Sequence, residues 1–305
     1  MSAVRIRRIG TTKDRLGESP VWDDYRQRLC WIDALAGTIH TVDPVTGAAR
    51  RFSVPAPIGS LALRKDGGAV LALRESFAAY DFDTQALTQG PSIGLDHPKL
   101  RLNDGKADPQ GRFVAGTMHG DRAPDEAPVG GLYRLDASGG LELLETDLAV
   151  SNGPCFSPDH RTFYLADSAR RIIWAYDYRP DGPLLNKRVF VDTTALQSGT
   201  DGATVDAEGH LWSVLVRIGR IARFAPDGSV VRTIDMPVRH PTSVCFGGPD
   251  LDVLYVTSIS RSHALRDDHP DAGGLFAVEG LGVHGLPAHR FASGPPEPTI
   301  ATPVA

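Results

Sequence analysis

Cysteine is scarce in this 305-residue chain: it occurs three times, at Cys30, Cys155 and Cys245, widely separated and without a CxxC spacing. That excludes a disulfide framework and a cysteine-built zinc knot, and the expectation is three buried thiols in a reducing compartment. No apolar run approaches the roughly 18 residues that a membrane span requires. The opening segment MSAVRIRRIG lacks the apolar core of a signal peptide, so the cytoplasm is the expected location and no membrane partner is expected. An excess of positive charge is also missing. A formal net charge of −5 argues against a nucleic-acid partner, whose phosphates demand a basic footprint. The ten histidines form no HExxH pair, and the glycines form neither a Walker nor a Rossmann fingerprint. No linker rich in Pro, Gly and Ser divides the middle, so residues 1–292 read as one domain. The segment SGPPEPTIATPVA over 293–305 reads as a flexible tail.

What the chain does have is a repeat. The segments VWDDYRQRLCWID, LRKDGGAVLAL, ADPQGRFVAGTM, SPDHRTFYLAD, VDAEGHLWSVL and GGPDLDVLYVT each join two apolar strands through a turn carrying an aspartate. These aspartates, Asp24, Asp66, Asp108, Asp159, Asp206 and Asp250, fall at intervals of 42, 42, 51, 47 and 44 residues. A second set of turns between them, including those at Asp43, Asp136 and Asp227, makes about four strands per unit. Four strands per roughly 40–50 residues, with almost no helical periodicity, predict an all-β fold: a six-bladed β-propeller with four-stranded antiparallel blades.

One acid is out of place in that pattern. Glu18, in LGESPVWDD, heads an otherwise apolar strand, where glutamate is depleted and where a buried carboxylate must be paired, protonated or bound to a metal. The strand before each turn aspartate is taken as the innermost of its blade, lining the central channel. Counting back six residues from the turn aspartates, with one position of slip, brings Glu18, Ser60, Arg101 or Asn103, Asn152, Asp201 and Ser243 to one level. Polar groups of several blades then face one channel mouth. The competing reading is that Asn-Asp-Gly, Ser-Asn-Gly and Thr-Asp-Gly are ordinary turns. A Glu, an Asn and an Asp on one axis offer oxygen ligands only, which suits a hard divalent cation such as Ca²⁺, Mg²⁺ or Mn²⁺. Zinc and ferrous iron are compatible but not favoured by ligand type. An open coordination position there fits Lewis-acid hydrolysis of an ester, lactone or phosphoester.

The motifs LGESPVWDD, RLNDGKADPQGRFVAGTM, SNGPCFSPD, TDGATVDAEGHLW, CFGGPDLDVLYVT and AGGLFAVEGLGVHGLP resemble, in order and over nearly the whole chain, those of the regucalcin/gluconolactonase or senescence-marker-protein family. The resemblance implies a sugar lactonase on a six-bladed propeller with one divalent ion held by Glu18, Asn152 and Asp201. It also implies that Arg101 and Asn103 bind substrate hydroxyls. The expected reaction opens a sugar-acid lactone to the free acid, the water being deprotonated by Asp201 or by the ion. Two departures stand out: Thr200 replaces the proline common in the family before Asp201, and Val216-Arg217-Ile218-Gly219 replaces an Asn- or Gly-rich loop.

Further candidates follow from strand direction. His119 and Asp121, after the strand FVAGTM, are expected at the same mouth as substrate contacts, and Arg217 is expected there as a partner for a hydroxylated or anionic substrate. Asp33 and Asp167 either face the channel or cap turns. Trp22, Trp31, Trp174 and Trp212 are expected to pack between blades. Two alternative functions share the site: an organophosphate or aryl-ester hydrolase, and a non-enzymatic calcium-binding protein. The oligomeric state is open at this point.

Overall fold

The computed structural model describes residues 3–95, 97–123 and 125–292; the tail expected over 293–305 lies outside them. Six four-stranded antiparallel sheets form a propeller. The first strand, β1 (Arg5–Ile9), belongs to the last blade. Blade 1 holds β2 (Gly17–Asp23), β3 (Arg28–Asp33), β4 (Thr38–Val42) and β5 (Ala49–Ser53); blade 2 holds β6 (Ser60–Leu63), β7 (Ala69–Ala72), β8 (Ser76–Tyr80) and β9 (Leu87–Ser92). Blade 3 holds β10 (Leu100–Ala107), β11 (Phe113–His119), β12 (Gly130–Leu135) and β13 (Leu141–Leu148). In blade 4 are β14 (Ser151–Phe156), β15 (Thr162–Asp167), β16 (Ile172–Asp177) and β17 (Leu185–Asp192). Blade 5 comprises β18 (Thr200–Val205), β19 (Leu211–Leu215), β20 (Arg220–Phe224) and β21 (Val230–Asp235). Blade 6 comprises β22 (Pro241–Gly247), β23 (Val253–Ser258) and β24 (Leu275–Glu279), closed by β1 through the register Arg5↔Glu279 to Ile9↔Leu275. The chain's beginning thus latches its last blade, and Arg7 Nε adds an ion pair to Glu279 at 2.8 Å.

The sequence pattern explains the layering. Inner and middle strands are buried on both faces, as in β4 and β6, whereas the outermost β17 exposes nearly every residue. Three of the repeating aspartates, Asp108, Asp159 and Asp206, accept backbone N–H groups of their own turns, Asp159 Oδ1 taking that of Arg161. Asp108 Oδ1 accepts the backbone N–H of Gln110 and Arg112, and Asp206 Oδ1 those of Glu208 and His210. Between blades, Trp22 stacks on Tyr255 and Trp212 meets Phe246 edge-on. The other two tryptophans also pack between blades: Trp31, stacked on His40, lies in one apolar cluster with Tyr255, Leu275 and Ala277 of blade 6, and Trp174, under Lys187, packs against a cluster that joins Val114, Leu132 and Leu148 of blade 3 to blade 4.

One end of the channel is sealed. Residues 281–292 cross the turn face, with backbone bonds from Ala207 to His284, Gly285 to Leu251, Phe291 to Leu63 and Ala292 to Gly111. Arg290 ties the same segment to Asp23 and Asp24 of blade 1 at 2.7 and 2.5 Å. Leu286, Pro287, Ala288 and His289 close a cavity of about 90 Å³ lined by the inner strands. The inner strands begin at the opposite end. No helix among the described residues is long and apolar enough to cross a membrane.

Candidate metal and active site at the channel mouth

Each candidate ligand stands near the start of an inner strand: Glu18 in β2, Asn152 in β14 and Asp201 in β18. Asn-Asp-Gly, Ser-Asn-Gly and Thr-Asp-Gly lie inside β10, β14 and β18, so the turn reading of these motifs is wrong. In each of these strands the pairing slips just past the polar residue, between Glu18 and Val21, Leu102 and Gly105, Asn152 and Cys155, and Thr200 and Ala203. Such bulges re-aim side chains.

The acids share one electrostatic environment. Burial raises the Glu18 carboxyl well above its ordinary range, and the charges of Asp201 and Asp104 push it further. Asp201, 8% exposed, is raised well above the usual carboxylate range by burial and then by Asp104. Arg101 opposes both: its guanidinium is itself pulled down to about 10 by burial, with Glu18 and Asp201 acting against that shift. Two cations, Arg101 and, beside Asp104, Lys106, face the three carboxyls of Glu18, Asp104 and Asp201, which leaves the mouth short of positive charge. Asp201 Oδ1 is buried without a hydrogen-bond partner.

Neutral groups hold this set in place. Asn103 Nδ2 donates to Ser151 O at 2.9 Å and to Asn152 Oδ1 at 2.7 Å, leaving that oxygen a second lone pair. Asn152 Nδ2 donates to Ser168 Oγ at 2.9 Å, and Ser168 Oγ donates to the Thr200 carbonyl. The position without proline is therefore tied down from the neighbouring blade, and Thr200 is fully buried. Ser60 Oγ turns away to donate to Asn103 O at 2.8 Å. The oxygen-only donor set, the unpartnered Asp201 Oδ1 and the surplus of buried negative charge all fit a hard divalent cation.

Three residues here were not singled out by the motif reading. Asp104 is buried, with Oδ1 accepting Gly105 N and Oδ2 accepting Gly153 N, both at 2.8 Å, and Lys106 Nζ donates to Ala203 O at 2.8 Å inside the channel. Both are charges in an apolar inner strand, the signal that marked Glu18. Ser168 carried no signal, because its role depends on contact between blades.

The remaining candidates sit at the same end of the blades but make other contacts. Leu100↔His119 and Arg101↔Met118 pair in register, yet His119 turns to His97 and Glu126, with Nε2 3.2 Å from Glu126 Oε1. Asp121 is exposed and meets His263 Nδ1 at 3.1 Å. His263 belongs to the β23–β24 loop, on the blade opposite in the ring, so this contact spans the mouth. Arg217 follows β19, whose register Thr200↔Leu215 sets it beside the start of β18. Its backbone N–H donates to Ser198 Oγ at 3.1 Å, and its side chain is exposed, with no ion pair among the described residues. Asp33 and Asp167 cap backbone: Asp33 accepts Arg15 N and Ala36 N, and Asp167 accepts Ala149 N and Val150 N.

A six-bladed propeller closed at one end, with a cluster of carboxyls at the other, is the frame in which known proteins compare with this chain. Residues 16–260 match the SMP-30/Gluconolactonase/LRE-like region, and the chain belongs to that family. It is 38% identical to regucalcin of Gallus gallus over 298 residues, covering 96% of this chain and 100% of the relative. It is 37% identical over 283 residues to 6-deoxy-6-sulfogluconolactonase of Pseudomonas putida, covering 91% and 95%. The crystal structure of the calcium-binding protein regucalcin from Agrobacterium tumefaciens superposes with a TM-score of 0.83 at 29% identity, covering 93% and 97%.

Proposed function

We propose that this chain is a divalent-metal-dependent lactonase that opens a sugar-acid lactone to the free acid. The observation that carries the reading is the buried, unpartnered Asp201 Oδ1 in the same field as Glu18 and beside the Asn103–Asn152 pair. Glu18, Asn152 and Asp201 would hold the ion, and oxygen donors suit Ca²⁺, Mg²⁺ or Mn²⁺ better than Zn²⁺ or Fe²⁺. When bound, the cation supplies Lewis-acid polarisation of the lactone carbonyl. Asp201 takes a proton from the attacking water, whose oxygen bonds to the carbonyl carbon. The ring C–O bond breaks, and the departing ring oxygen recovers the proton as a hydroxyl. Arg101 and Asn103 orient substrate hydroxyls, and Asp121 extends the mouth on the substrate side. The sulfo-substituted sugar lactone in the name of one relative supports a substrate with an anionic group remote from the ring carbonyl, for which exposed Arg217 is a suitable partner. The three buried free thiols accord with a cytoplasmic setting.

The deciding assay follows acid release from a panel of neutral and acidic aldonolactones, with EDTA and metal add-back. Activity lost in EDTA and restored by a divalent ion is expected. Lactone opening at full rate in EDTA would overturn the reading. Tight calcium binding without turnover of any lactone would favour the calcium-binding alternative, which the description of the Agrobacterium relative keeps in view.

A further inference from the structure

The geometry points to a second metal site, on blade 3 and the segment before it, in which His97, His119 and Glu126 bind one borderline transition cation, represented by Zn²⁺. One ligand atom from each residue lies within 4.8 Å of the others. His119 Nε2 and His97 Nε2 are 3.2 and 3.6 Å from Glu126 Oε1. A four-coordinate cation with bonds of about 2.0–2.1 Å separates its ligands by about 3.3–3.4 Å, so both contacts have the length of a tetrahedral edge. Two imidazoles and a carboxylate suit zinc, whereas the oxygen-only channel site suits a harder ion.

A second observation also points to a ligand. The His119 side chain is completely buried, yet neither ring nitrogen completes a hydrogen bond. A buried imidazole with no partner at either nitrogen is costly, and a cation at Nε2 would remove half of that deficit. Glu126 is already arranged as an oriented ligand. Its Oε2 accepts Lys99 Nζ at 3.0 Å and Ala123 N at 3.1 Å, which leaves Oε1 toward the histidines, in the manner of a supporting shell.

The cluster at Asp206, Glu208 and His210 lacks this readiness. There Arg223 lies on both carboxylates at 2.7 and 2.6 Å, and Trp212 Nε1 takes Asp206 Oδ2 at 2.8 Å. A cation in the proposed site would tie His119 and Glu126, with Asp121 lying between them in sequence, to His97 before β10.

The test uses the full chain, stripped with EDTA and dialysed, carrying Asp201→Asn to remove a charged oxygen from the channel site. Equilibrium dialysis against Zn²⁺ should find one ion bound per chain. Adding His97→Ala, at a half-exposed residue, should weaken that binding by about 10²-fold or more, at least the loss expected for a supporting contact. Circular dichroism checks that the variant is folded. Lys99→Met should weaken zinc binding about 10–100-fold, because Glu126 loses the donor that orients its carboxylate toward the histidines. Absence of the bound ion at free Zn²⁺ up to about 100 μM, or zinc retained undiminished in folded His97→Ala, would overturn the proposal. The outcome does not depend on lactonase activity.

Discussion

Asp201→Asn should make the metal-free protein more stable while ruining its function. The side chain is 8% exposed, its Oδ1 has no partner, and both burial and the charge of Asp104 disfavour its ionised form. Asparagine keeps the shape and removes the charge. Relief of an insufficiently compensated buried charge is worth about 1–3 kcal/mol. At roughly 2–4 °C per kcal/mol for a large domain, the melting temperature in EDTA at pH 7 should rise by about 2–12 °C. The sign follows from linkage: the folded carboxyl titrates above the unfolded one, so ionisation favours unfolding increasingly as pH climbs from about 4. The variant's advantage is therefore present at pH 7 and vanishes below the ordinary carboxylate range. With a divalent ion at about 1,000 times its dissociation constant, the unaltered chain gains about 4.1 kcal/mol, most of which the variant forgoes, and the order of stabilities reverses. Lactone hydrolysis should fall by at least about 10²-fold. Thermal unfolding at both pH values, with EDTA and with added ion, reads all of this. Earlier unfolding of the variant in EDTA at pH 7, or no reversal on adding metal, would refute the electrostatic account.

Three further outcomes are expected. Arg217→Ala should raise KM for an acidic lactone far more than for a neutral one of equal ring size, since it removes binding remote from the reacting carbonyl; equal effects on both would show that charge is not what it selects. Gly202→Ala should destabilise the fold by about 1–3 kcal/mol, because a Cβ there falls 2.0 Å from Ser243 Oγ. The Ser243 Cα is only 2.6 Å from the same point, so adding Ser243→Gly should not restore the melting temperature, and full rescue would contradict the packing argument. Ser168→Ala, which cuts the link between Asn152 and the Thr200 carbonyl, should weaken retention of the catalytic ion about 10–100-fold, as measured by competition with a chelating dye; unchanged retention would mean the link is idle.

Much of this was legible in the sequence because the fold repeats. The six turn aspartates sit between the first and second strands of all six blades, since an aspartate that satisfies its own turn leaves a local signature. Glu18 was legible for the opposite reason, as a charge where burial forbids one. The sealing of the channel by residues 281–292 was not: it rests on backbone bonds to turns of four different blades, which no local pattern encodes. Nor was the turn of His119 toward His97 and Glu126, because strand direction fixes the end of the blade a residue reaches, not the neighbour it chooses.

The one-residue slip needed to align the polar residues in sequence has a structural cause. Five of the six inner strands break register at that level, β22 doing so between Pro241 and Val244, while β6 pairs with β7 without a break. An unbroken strand alternates its side chains strictly between faces, whereas a bulge lets neighbouring residues depart from that alternation. Asn103 and Asp104 are adjacent in β10, yet they reach Asn152 and Gly153 respectively. The glycines that follow serve the same geometry. A Cβ on Gly105 would fall 2.7 Å from Ser60 Oγ, one on Gly153 2.8 Å from Asp201 O, and one on Gly202 2.0 Å from Ser243 Oγ. Each glycine therefore admits the inner strand of an adjacent blade as well as the bulge. In blade 2, which lacks the bulge, Ser60 bonds to the backbone of blade 3 and adds no acid to the mouth. The polar-then-glycine signature is thus a single solution to two demands, close approach of inner strands and aim of their carboxylates, and that is why motifs resembling turns mark the acid-bearing end of the channel.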